Sequence, residues 1–215
     1  MHKQSAAWLV GAMGIFWILT GTPLTAGQAT VKHGVSDSLE ETTRDEAMEQ
    51  ALWELVNQLR ANPARFYHQV IEPYLHTETA IHFSSHTVHS LRKEMLQSPP
   101  LPTLQSEERL RQTALLLAKD LVAHQQGRLS HTMSNGTSFA QRFRAAGMGC
   151  GAENLYTGLH RTAEQVLADW LIDEGVPGYG HRHNLLNPQY RSTGIVVLRN
   201  RKGQIWVVQD FGCMP

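Results

Sequence analysis

The chain has 215 residues, enough for one domain with an extension. At 41% hydrophobic and 18% charged it reads as globular, neither disordered nor fibrous. Lys+Arg and Asp+Glu number 19 each, and this balance excludes a bulk electrostatic drive toward nucleic acid or an anionic membrane surface.

In chain order, His2 and Lys3 precede an apolar run over residues 6–20 that holds Trp8, Leu9, Val10, Ile15, Phe16, Trp17, Ile18 and Leu19. Pro23 breaks the run and small residues follow through Ala29. That order predicts a secretory signal peptide over residues 1–29, cleaved after Ala29 or after Ala26. An uncleaved anchor is the competing reading, but the run is shorter than the ~20 residues that span a bilayer. The mature protein is therefore expected in the periplasm or outside the cell, with no transmembrane anchor. Residues 30–44 are polar and lack periodicity, and read as a linker or disordered arm.

Residues 45–61 carry Ala47, Ala51, Leu52, Leu55, Val56 and Leu59 as one apolar stripe, which predicts a helix. Asn62 and Pro63 end it. Phe66 to Leu75 is a second apolar piece. Thr77 to His89 is rich in Ser and Thr and reads as a loop, its histidines His82, His86 and His89 notwithstanding. Pro99, Pro100 and Pro102 mark a break. Ser106 caps a strong helix whose stripe is Leu110, Ala114, Leu117, Ala118 and Leu121, stopped by Gly127. Residues 130–136 form a turn-rich loop, Phe139 to Ala146 a short helix, and Thr162 with Gln165 a capping box for a helix to about Asp173. Thr193 to Leu198 and Gln204 to Phe211 pair as a hairpin about Asn200, Lys202 and Gly203. Trp53, Trp170 and Trp206 are expected in the core. Helices followed by a few antiparallel strands give an α+β fold.

Cys150 and Cys213 are the only cysteines, and in an exported chain such a pair is a candidate disulfide. Two free or buried thiols are the alternative. No G-x-S-x-G elbow, H-E-x-x-H, phosphate-binding loop or dinucleotide fingerprint occurs.

Four segments together resemble the CAP family of cysteine-rich secretory, antigen 5 and pathogenesis-related 1 proteins, in its microbial branch. They are residues 118–121 with Ser130-His131-Thr132, then Gly151-Ala152-Glu153-Asn154-Leu155, then Trp170 with Gly180-His181-Arg182-His183-Asn184-Leu185-Leu186, and finally Gly194-Ile195-Val196 with residues 206–211. The resemblance implies an α-β-α sandwich with a small antiparallel sheet between helices. It places the domain at 45–215, with residues 67–100 as an insertion relative to compact members. It also implies a cleft tetrad of His131, Glu153, Asp173 and His181. The family's fourth residue is commonly Glu, so Asp173 is a departure and the adjacent Glu174 is a substitute for it.

Imidazole and carboxylate suit Zn2+ or another divalent cation, with His131, His181 and Glu153 as the expected ligands. A carboxylate can also serve by orienting an imidazole from behind. The resemblance implies a binding module before an enzyme: a cleft for a divalent metal or an extracellular lipid, peptide, glycan or protein. A hydrolase using His131, Glu153 and His181 as metal ligands or acid and base is a second reading. A third is a vestigial cleft with partner binding through residues 67–100.

Overall fold

The computed structural model describes the backbone of residues 27–124 and 129–213, and side chains from Thr42 onward. The chain divides into residues 1–37 and 38–215. The expected signal peptide falls almost wholly outside the described residues. Among the described residues no helix is long and apolar enough to cross a membrane.

Helix α1 spans Gly27–Ala61, so residues 30–44, expected as a linker or arm, are helical backbone. No proline interrupts the chain between Val31 and Ala61, and a helix propagates at low cost once its amphipathic part is anchored. Asn62 caps α2 (Pro63–Phe66) by accepting from the Arg65 amide, with proline in the first turn where its missing N–H costs nothing. A π-helical turn at Tyr67–Ile71 and α3 (Glu72–Leu75) follow.

The expected loop over 77–89 is only partly one: Glu78–Ala80 is a 3-10 turn, and α4 runs Ser85–Gln97. Ser84 starts α4 by accepting from the Thr87 amide, and Glu174 accepts from the Ser84 amide at 2.9 Å. The serine cap itself is local, but the weak apolar pattern of the segment gives it no stripe to open, and the Glu174 contact that holds Ser84 comes from 90 positions away. Residues 105–106 form β1, and the next helix therefore begins at Glu108 rather than Ser106. Helices α5 (Glu108–His124) and α6 (Phe139–Ala145), strand β2 (Gly151–Leu159), helices α7 (Ala163–Ile172) and α8 (Gly180–Leu186), and strands β3 (Tyr190–Arg199) and β4 (Gln204–Cys213) complete the order.

The sheet order is β1-β3-β4-β2. β2–β4 and β3–β4 are antiparallel, as expected, and the two-residue β1 adds a parallel edge beside β3, so the sheet is mixed. Strand alternation sorts the core into two layers. Ile195, Val197, Ile205, Val207 and Phe211 meet α1, α4 and α7 on one face. Leu155, Val196, Trp206 and Val208 meet α5 on the other. The result is the α-β-α sandwich. Trp170 and Trp206 are buried in it, while Trp53 is half-buried and donates to the Leu104 carbonyl. Gly194 is required where α5 crosses β3, because a Cβ there would lie 2.1 Å from the Arg111 amide nitrogen.

Candidate functional site

His131 sits on the loop between α5 and α6. Two groups fix that loop. Asp120, near the end of α5, accepts from the Ser134 amide at 2.7 Å and the Ser134 hydroxyl at 2.5 Å. Arg142 of α6 donates to the His131 carbonyl at 3.0 Å. The imidazole projects outward, its side chain 55% exposed, while its Nδ1 contacts Glu153 Oε1 at 2.8 Å; the Glu153 side chain is only 1% exposed. The other Glu153 oxygen accepts from Arg142 Nη2 at 2.5 Å. Gly151 opens this strand because Phe143 and the Phe211 carbonyl leave no space for a Cβ, each 2.2 Å away.

His181 lies in the first turn of α8. Its Nδ1 contacts Asp173 Oδ1 at 2.6 Å, and its backbone amide donates to Asp173 Oδ2 at 2.9 Å. Asp173 closes α7 in the left-handed region, with φ 58°, a conformation that aspartate tolerates better than most residues. That turn brings the short carboxylate back onto the histidine. Glu174, the expected substitute, instead binds Ser84 at the start of α4.

Glu153 and Asn154 connect the two pairs. Neighbours on a strand point to opposite faces. Glu153 faces α5 and α6 and backs His131, while Asn154 faces α8 and donates to the His181 carbonyl at 3.3 Å. Asn184 in turn donates to Asn154 Oδ1 at 2.8 Å. The structure thus builds two histidine–carboxylate pairs, His131–Glu153 and His181–Asp173, hung from one strand, and not one hydrogen-bonded set of four. His183, two residues beyond His181 and so on the opposite side of α8, is exposed.

Zinc fits this donor set only in part. Among the described residues no three His, Cys, Asp or Glu side chains gather to hold a metal. Glu153, expected as a ligand, has both oxygens engaged, by His131 and by Arg142. What remains toward a cation is one Nε2 on each histidine.

Several residues that serve the site were not singled out from sequence. Arg182, fully buried, donates to the Leu171 carbonyl at 2.6 Å and the Ile172 carbonyl at 2.8 Å, and reaches Ser90 and Glu94 of α4. It locks α8, the end of α7 and α4 together. Asp210 of β4 stands across the ladder from Glu153. Its sequence signal was available: alternation with Trp206 and Val208 puts an acidic residue on a core-facing position. Cys150 and Cys213 form a disulfide at the ends of β2 and β4, with Cα atoms 5.5 Å apart.

No curated protein matches the chain significantly. Among solved structures, an extracellular protein containing a SCP domain from Bacillus anthracis is similar at 19% identity and TM-score 0.53, over 90% of this chain and 45% of that one. The chain thus spans less than half the length of that protein, and the likeness shows a shared fold. An outer surface protein from Borrelia burgdorferi aligns at 22% identity and TM-score 0.46, over 61% of this chain and 89% of its own. NaASP2, solved with Zn2+, aligns at 16% identity and TM-score 0.43, over 77% of this chain and 78% of its own. The model of the cysteine-rich secretory protein family matches residues 53–211, which contain both histidine–carboxylate pairs, β1 to β3 and all but the last two residues of β4, and the chain belongs to that CAP family.

Proposed function

We propose that this chain is an extracellular binding module whose binding groups are the Nε2 atoms of His131 and His181, offered to a divalent cation such as Zn2+ or to a polar extracellular ligand. The observation that carries this reading is the engagement of both Nδ1 atoms by carboxylates, at 2.8 Å and 2.6 Å. A carboxylate at Nδ1 fixes the tautomer with its proton there and directs the Nε2 lone pair outward. Two imidazoles supply neutral donors suited to zinc, and solvent or ligand completes the shell. Export follows from the order of residues 1–29 and is in keeping with the extracellular SCP-domain protein of the same fold. Residues 67–100 contribute support to α8 through Ser90 and Glu94.

Calorimetric titration of the chain from residue 30 with Zn2+ tests the reading. Saturable one-to-one binding is expected, lost in the His131→Ala/His181→Ala double variant. Equal heats in both proteins would overturn a cation site in the cleft and leave a polar organic ligand to be sought.

A further inference from the structure

Behind His131 lies a buried polar cluster larger than one dyad. Glu153 of β2 and Asp210 of β4 are direct partners in the antiparallel ladder and project to the same face. Both are buried, Asp210 completely. Arg142 from α6 and Thr113 from α5 cover them, the first bound to Glu153 and the second to Asp210 Oδ2 at 2.5 Å. His131 stands at the solvent side. These are the charged and polar groups that face the pair.

Two adjacent buried carboxyl groups do not both ionise, and they hydrogen-bond each other only when one holds a proton. The donors decide which. Glu153 is met by two donors, a guanidinium and an imidazole, one on each oxygen. Asp210 is met by one hydroxyl, and its Oδ1 is buried with no donor among the described residues. An anion there would be uncompensated, whereas a carboxylic acid supplies its own proton toward Glu153. Burial and the charge of Glu153 both push the Asp210 carboxyl well above the ordinary range, and Thr113 and Arg142 do not offset them.

We propose that Asp210 is a positioning residue of the site: as a neutral acid it hydrogen-bonds Glu153 from behind and fixes the carboxylate that orients His131. The inference rests on the binding reading above for its significance but not for its test. Asp210→Asn keeps a neutral donor and an acceptor for Thr113, and Asp210→Leu keeps the volume and removes both. The readouts are the His131 tautomer, from the long-range 1H–15N spectrum at one fixed pH, and Zn2+ affinity. In Asp210→Asn the Nδ1–H signature stays and affinity holds within about twofold. In Asp210→Leu the Nε2–H form gains population and affinity falls about tenfold, the scale set by losing an outer hydrogen-bond partner. An unchanged tautomer in Asp210→Leu overturns the proposal, as does loss of the Nδ1–H signature in Asp210→Asn. If Asp210→Leu does not fold, the asparagine variant decides alone, because a role for an ionised Asp210 would be lost in it. If the wild-type chain binds no zinc, the cation reading fails while the tautomer still judges Asp210.

Discussion

Glu153 and Asn154 divide the work of the site between the two faces of one strand, and each does so with side-chain partners that come from distant sequence. Glu153 is the more exposed to failure. It neutralises Arg142, whose side chain is only 2% exposed, as well as orienting His131. Glu153→Gln therefore leaves a buried guanidinium without its counter-charge, which costs on the order of 3–5 kcal/mol. Urea unfolding of the variant should show that loss, and a midpoint close to wild type would mean that Arg142 finds another partner or water. Much of this level was legible in the sequence. The motif segments brought forward His131, Glu153, Asp173 and His181. What they did not tell was which carboxylate serves which histidine, or that Glu174 turns toward Ser84, since both depend on the left-handed turn at Asp173.

At the scale of elements, the loop bearing His131 has little apolar burial of its own, and Asp120 is its clamp. Burial pushes the Asp120 carboxyl up, but hydrogen bonds from Ser134 and the neighbouring His124 outweigh this and hold it below the ordinary carboxylate range. A carboxyl lowered in the folded state stabilises above its unfolded pKa of about 3.9, and that contribution is lost as pH falls through the folded value. Hydrogen exchange at the Ser134 amide should therefore accelerate, relative to core strand amides, below about pH 4. Uniform protection down to the global acid transition would show that Asp120 does not hold the loop. The helices with clear apolar stripes, α5 and α7, were readable from period alone. The helical character of 30–44 and the start of α4 were not. The first has no stripe to read, and the second opens on a serine whose amide is held by a residue 90 positions away.

Over the whole molecule, the sandwich holds its site where β2 begins and β4 ends, and the Cys150–Cys213 disulfide closes that end. The bridge joins residues separated by 63 positions, a loop for which chain entropy gives roughly 4 kcal/mol of stabilisation. The Cys150→Ser/Cys213→Ser variant should lose about 2–4 kcal/mol, measured by denaturant unfolding. A loss within error would place the stability of that end in the ladder and the α5 layer alone. Hairpin strands, flanking helices and the α+β class could all be read from the sequence. The two-residue β1 could not, because its pairing with β3 comes from the packing of distant segments rather than from any local β pattern.

The central claim is that two pairs, built on opposite faces of β2, present their histidines to one ligand. The most direct measurement is a Zn2+ calorimetric series on wild type, His131→Ala, His181→Ala and the double variant. A shared site requires that each single variant lose at least tenfold in affinity, and that the double variant lose little more than either single one. Additive losses, or a single variant that retains wild-type affinity, would show that the two histidines do not act on the same ion and would contradict the account.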